Sequence, residues 1–334
     1  MINNDPQAPT EHADWPAWRQ QVIDDFGRYV YGVTPRLQVA VEGKVLDYQA
    51  SFGAGSRSRH ELTITGERGT HRLELLLCLP NIDQAPVFLG LNFEGNEAVL
   101  QQWPIELLLR RGYGVASVHA SAIEPDRNGG AADGVRQILP DGLDEWGTIG
   151  VWAWGLALVR RQLTDYAHVQ RDKIIAIGHS RMGKAALWAA AQDQNFAAVI
   201  SNGAGCTGDS LHRHRSTETG RVSEDIATIT RKFPYWFTPG YADYAGRDAE
   251  LPVDQDQLLA SFGSRPVCVG SGSEDYWADP VGQFEAVRSA RLINQGAMAD
   301  GKAGPIGFHL RPGGHALLTE DWLHYLAFTD THLP

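Results

Sequence analysis

The chain has 334 residues, a formal net charge of −11 and no apolar run long enough to span a membrane. The acidic balance argues against a nucleic-acid binder and gives no electrostatic reason for membrane attachment. Three cysteines, Cys78, Cys206 and Cys268, are odd in number and far apart, so they spell neither a disulfide framework nor a zinc spacing.

The stretch up to Asp14 has no basic start and no apolar core. It is not a signal peptide, and it is expected to be disordered or extended. A secreted or periplasmic protein is expected if a signal has been removed, a cytoplasmic one otherwise. A single domain is expected over 15–334. A short helix is predicted from Trp15 to Val30, before "YGVTP". Antiparallel strands follow: Leu37 to Tyr48, then "HELTIT" and "HRLELLLCLP" about the turn "GERG". From Pro86 strands and helices alternate. "VFLGLNF" reads as a strand, and "EAVLQQWPIELLLRRG" as a helix interrupted at Pro104. "YGVASVHA" is a strand and "GTIGVWAWGLALVRRQLTDY" has helical spacing. "KIIAIG" is a strand that precedes a helix from Met182; "AAVISN", "PVCVGSG" and "IGFHLRP" are further strands, with helices between and after them. Cys78 and Cys268 lie in such apolar runs and read as small buried hydrophobes. Strands without polar alternation, separated by helices, imply a mostly parallel sheet buried on both faces.

In such a sheet, chemistry gathers at the carboxyl ends of the strands. Ser180 follows "IIAIG", Asp275 follows "PVCVGSGSE", and His315 follows "IGFHLRPGG". The order serine, acid, histidine is that of the α/β-hydrolase fold, a three-layer sandwich. A serine hydroxyl becomes a nucleophile when a neighbouring base takes its proton. The turn "GHSRMG" departs from the usual G-x-S-x-G, since its second glycine, Gly183, comes one residue late. A plain helix N-cap is the alternative for any serine after a strand. The acid and histidine after later strands favour the nucleophile. His315 stands where the general base belongs. Asp275 is the preferred acid in "SGSEDYWADP", Glu274 is its rival, and Asp279 before Pro280 reads as a turn or helix N-cap. His179 is expected to point away from the serine and to serve in packing or a surface contact. "HRHR" from His212 reads as a polar loop. The backbone N–H of Arg181 and a donor near Asn92 and Phe93 would meet an oxyanion. The Arg181 guanidinium adds charged donors, with a surface ion pair as its alternative.

Here the residues reach a known family. "GHSRMGKAALWAAA" resembles the elbow of glucuronoyl esterases, bacterial members in particular. "LNFEGN", "KFPYWF", "SEDYWADPVGQF" and "GGHALLTEDW" are similar as well, and the resemblance runs from about Tyr29 to Phe328. It implies a serine hydrolase that needs no metal or cofactor. Such enzymes cleave the ester between (4-O-methyl-)glucuronic acid on xylan and an alcohol of lignin. It also implies that Arg181 stabilises the oxyanion and that Lys184, Trp277 and Glu224 contact the sugar, with Glu218 as a second match for the glutamate. Fungal members carry the acid after the strand that follows the elbow helix. Gly203 stands there in this chain, which turns the acid to Asp275, and His179 replaces the fungal cysteine before the serine. An acetylxylan esterase is the runner-up reading, and an inactive carbohydrate-binding homologue is a further one.

Overall fold

In the computed structural model, which describes residues 14–214, 223–297 and 303–333, helix α1 (Trp15–Phe26) opens the fold. Pro16 stands in its first turn, and Trp18, Val22 and Phe26 recur every four residues to bury one face. The chain continues as a wider π-helical turn, Gly27–Tyr31, so the helical stretch expected to Val30 is present with its last turn loosened.

Strands β1 (Ala40–Phe52), β2 (Gly55–Gly66) and β3 (Gly69–Pro80) form an antiparallel meander. After β4 (Ala85–Asn92), Pro104 divides α2 (Asn96–Gln102) from α3 (Ile105–Arg110), because proline has no N–H to continue a helix. Then come β5 (Gly114–His119), α4 (Ala120–Ile123), α5 (Thr148–Leu163), β6 (Val169–His179), α6 (Arg181–Gln192) and β7 (Ala198–Asn202). The chain closes with α7 (Ile226–Lys232), α8 (Gln255–Ala260), β8 (Val267–Gly272), α9 (Pro280–Ala297), β9 (Ile306–Arg311) and α10 (Thr319–His332).

The nine strands make one sheet in the order β1-β2-β3-β5-β4-β6-β7-β8-β9. The six strands from β5 to β9 run parallel, and β3 joins them antiparallel through β5. The N-terminal meander therefore extends the same sheet. Successive side chains bury on opposite faces. Val87, Leu89 and Leu91 meet the layer that holds α1, α5 and α6, while Phe88 turns to the layer of α3 and α10. The result is the three-layer α/β-hydrolase fold.

Parallel register sets the working edge. Asn92 pairs with His119, His179 with Asn202, Asn202 with Gly270, and Gly272 with Arg311. Six strands thus end on one line, and the loops that follow them share one rim. The segment from 120 to 147 folds over that rim with little regular structure. A buried carboxylate pins it: Glu124 accepts from Arg136 Nε at 2.6 Å, Arg136 Nη2 at 3.0 Å and Thr148 Oγ1 at 2.6 Å.

Candidate active site

Ser180 sits between β6 and α6 with φ 57° and ψ −130°, a strained conformation for a residue with a side chain. Its hydroxyl makes no capping bond to the helix it starts, so the N-cap alternative does not describe it. Its N–H is held by Asn202 O at 2.8 Å. The two glycines have separate tasks. A methyl at Gly178 would lie 2.0 Å from Met182 O, so only glycine lets the first helical turn fold back on the strand. A methyl at Gly183 would lie 3.0 Å from Ser201 Oγ and from the Ala204 methyl. The late glycine therefore serves the approach of the helix to β7, while Met182 sends its side chain into the core.

His315 Nδ1 lies 2.6 Å from Asp275 Oδ2. The carboxylate is buried and accepts only, so Nδ1 carries the proton and Nε2 is left as the basic nitrogen. Glu274 is exposed, and its backbone N–H is tied to Gly313 O at 2.9 Å, so Asp275 and not Glu274 meets the imidazole. Gly203, with φ +58°, stands against this pair. A Cβ there would lie 3.3 Å from Asp275 Oδ2 and 3.4 Å from His315 Nδ1. Asp279 accepts from Gly282 N–H at 3.0 Å at the start of α9, as an N-cap would.

His179 serves in packing, one of the two roles expected of it, and the surface it packs on is the candidate base. Its ring packs on His315, with centroids 4.5 Å apart, and Nδ1 lies 2.7 Å from Asn202 Oδ1. Burial first, and the neighbouring His315 second, push its pKa down to about 4. It is a neutral shelf under the imidazole of His315. Residue 179 ends a strand and residue 315 lies in a distant loop, so no local pattern could have paired them.

The Arg181 guanidinium is fixed from several sides. It ion-pairs with Asp126 and lies over Phe93, Phe233 and Trp236, with ring centroids 5.5, 5.4 and 4.9 Å away. Asp126 also accepts from Tyr235 OH at 2.9 Å and Trp236 Nε1 at 2.8 Å. The ion pair considered from sequence is thus present, half-buried against an aromatic wall. Sequence reasoning missed Asp126, since nothing local marks it.

Lys184, Glu224 and Trp277 come together as one polar chain. Trp277 Nε1 donates to Glu224 Oε1 at 3.0 Å, and Lys184 Nζ lies 3.7 Å from Glu224 Oε2. Lys184 is only 2% exposed and donates to the carbonyls of Ala204 and Cys206. It therefore braces the loop after β7 while its ammonium stays beside the Glu224 carboxylate. Trp277 is 41% exposed, with Lys232 Nζ over its ring at 4.3 Å. Glu218 lies outside the described residues.

In the "HRHR" loop, His212 Nδ1 lies 3.2 Å from Asp254 and His214 Nδ1 lies 2.9 Å from Asp279, each with its own carboxylate. Burial favours the neutral acid at Asp254, but His212 and Arg213 outweigh it and hold that carboxyl well below its usual range. Burial pushes the Cys78 and Cys268 thiols up to about 12, which makes them inert. Among the described residues no group of three His, Cys, Asp or Glu side chains is spaced to hold a metal ion. No helix among them is long and apolar enough to cross a membrane.

A helix start does not require a strained, uncapped serine, whereas a hydrolase that must present its hydroxyl at the rim of a parallel sheet does. Fold and site together define an α/β-hydrolase of the serine-esterase class. The family model described as glucuronyl esterase, fungi, matches residues 106–297. Carbohydrate esterase MZ0003, from an unknown prokaryotic organism, is 32% identical over 94% of this chain and 84% of its own. The structure of a promiscuous CE15 esterase from a marine bacterial metagenome aligns with a TM-score of 0.85 at 30% identity, covering 98% of this chain and 96% of that one. A glucuronoyl esterase from Solibacter usitatus aligns with a TM-score of 0.85 at 28% identity, over 97% and 94% of the two chains. The chain belongs to the glucuronoyl esterase family, and it is a carboxylic ester hydrolase acting on carbohydrate esters.

Proposed function

We propose that this protein hydrolyses esters between (4-O-methyl-)glucuronic acid on xylan and lignin-type alcohols, through an acyl-enzyme on Ser180. The observation that carries the reading is the Lys184–Glu224–Trp277 chain next to the elbow. A uronic ester has its scissile carbonyl on the sugar ring itself, so the ring must be held while the serine attacks. A carboxylate fixed by Trp277 accepts from ring hydroxyls, and an exposed indole face suits a pyranose. An acetyl ester has no ring on its acyl carbon and gives this chain no task.

In the proposed reaction His315 Nε2 takes the proton of Ser180 Oγ as the oxygen attacks the carbonyl carbon. Asp275 keeps the imidazole in the required tautomer and stabilises the imidazolium. The Arg181 N–H and guanidinium meet the negative charge that develops on the carbonyl oxygen. His315 then returns the proton to the leaving alcohol, and a water molecule repeats the sequence to free the acid.

The test is hydrolysis of benzyl glucuronate beside p-nitrophenyl acetate. The wild type should prefer the glucuronate in kcat/KM, and Ser180→Ala, His315→Ala and Asp275→Ala should each lose several orders of magnitude on both. Equal or greater efficiency on the acetate, unaffected by Glu224→Gln, would move the reading to an acetyl esterase. Binding of glucuronoxylan without turnover, and no reaction with a serine-directed phosphonate, would move it to an inactive homologue. A polymeric plant substrate goes with a secreted or periplasmic location, which cell fractionation checks. The reading also takes 15–334 as one folding unit, for which calorimetry should show a single transition.

A further inference from the structure

His315 lies on the loop between β9 and α10, directly after Gly313 and Gly314. Gly313 has φ +96°. Two adjacent glycines leave a backbone loose, yet a general base has to be held within about 0.5 Å of its working place. Arg311, the last residue of β9, supplies that constraint. Its side chain is 2% exposed, and its fork is directed to the loop. Nη1 donates to Pro312 O at 2.9 Å, and Nη2 donates to Gly314 O at 2.9 Å and Ala316 O at 2.7 Å. Two of these carbonyls belong to the residues on either side of His315.

The remaining donor, Nε, reaches Asp321 Oδ2 at 2.9 Å, in the first turn of α10. The same oxygen accepts from Leu318 N–H at 2.7 Å. The other oxygen, Oδ1, is buried without a hydrogen-bond partner, although His309 Nε2 lies 3.2 Å away in poor alignment. One guanidinium and one carboxylate thus join the end of β9, the histidine loop and the start of α10. Apolar side chains of equal volume often stabilise a core as well as a buried ion pair does. Stability alone is therefore a weak reason for this pair, whereas a planar fork can fix three carbonyls in one geometry while its carboxylate partner holds the Leu318 N–H.

We propose that Arg311 and Asp321 are positioning residues for the general base, holding the peptide units around His315 in the conformation that lets Asp275 orient the imidazole. This rests on the reading of His315 as the base.

The experiment compares Arg311→Lys and Asp321→Asn with a matched control, Arg265→Lys. Arg265 also donates to backbone carbonyls, of Ala190 at 2.8 Å and Phe196 at 3.2 Å, but far from the histidine loop. His315→Ala is measured alongside. The readouts are kcat and KM on benzyl glucuronate, and the low-field proton resonance of the His315–Asp275 hydrogen bond, each at a temperature where the variant is folded. Both test variants should lose about ten- to a hundredfold in kcat, as for a misplacement near 1 Å. KM should stay within about threefold, and the resonance should broaden or vanish. Arg265→Lys should lower Tm and leave kcat and the resonance unchanged. Wild-type kcat with an intact resonance in folded Arg311→Lys and Asp321→Asn, beside an inactive His315→Ala, overturns the brace alone. If Arg311→Lys does not fold, Asp321→Asn decides by the same readouts. If His315→Ala stays active, the base assignment fails and the brace falls with it.

Discussion

The imidazole of His179 lies on that of His315, ring centroids 4.5 Å apart and planes inclined by 38°. Two charged imidazoles cannot share that contact cheaply, and burial favours neutrality at His179. Its pKa falls from 6.5 to about 4. Between those values the unfolded chain binds a proton that the native state does not, so stability rises with pH. This contribution is fully present above 6.5 and is lost as pH falls towards 4. His179→Gln should flatten the dependence of Tm on pH across that window relative to wild type. Parallel Tm curves for the two proteins would rule the shelf out.

Gly203 offers a test of where an acid can stand. Alanine there would hold a left-handed φ, at about 1–2 kcal/mol, and would press on the Asp275–His315 pair. Gly203→Ala should lower both stability and kcat. Removing the acid of a triad costs about 10⁴ in kcat. Because a Cβ at position 203 would lie 3.4 Å from His315 Nδ1, Gly203→Asp in an Asp275→Ala background should recover part of that loss. A double variant as inactive as Asp275→Ala would show that the geometry does not accept the transfer.

Arg181 should act mainly in the transition state. Arg181→Gln is expected to cost on the order of 10²–10³ in kcat with a smaller change in KM. Asp126→Asn leaves the guanidinium between Phe93, Phe233 and Trp236, so its loss should be smaller. Near-wild-type turnover in Arg181→Gln on both benzyl glucuronate and p-nitrophenyl acetate would reduce the arginine to an ion-pair partner of Asp126.

Lys184 and Trp277 should separate by stability. Lys184→Met strands two buried carbonyls, at about 1–3 kcal/mol for each unsatisfied group, and loosens Glu224. It should lower Tm and raise KM together. Trp277→Ala changes a half-open side chain and should raise KM with little change in Tm. A Lys184→Met protein with raised KM and unchanged Tm would make the lysine an open sugar contact after all.

Arg136 should matter to stability alone. Arg136→Met leaves Glu124 charged and buried, at a cost of about 3–5 kcal/mol. Chemical denaturation reads this directly, and a loss below about 1 kcal/mol would mean that the carboxylate finds water or a proton.

Local pattern was enough for the architecture. Apolar runs bounded by glycine and proline gave the strands, 3.6-residue spacing gave the helices, and Pro104 gave the break between α2 and α3. Parallel order then carried Ser180, Asp275 and His315 to one rim, since every parallel strand ends on the same side. Which neighbour in a loop turns inwards was another matter. Asp275 and Glu274 are adjacent acids of similar chemistry, and only the course of the 272–275 turn buries one and exposes the other. Lys184 has helical spacing from Ser180, but its burial was decided by the loop after β7. Arg181 and Asp126 are 55 residues apart, and His179 ends one strand while His315 lies in the loop after another. Sequence determines what a segment prefers over a few residues; contacts between segments follow from how sheet register and loop geometry stack those preferences in space, and at this site the contacts decide which side chains touch.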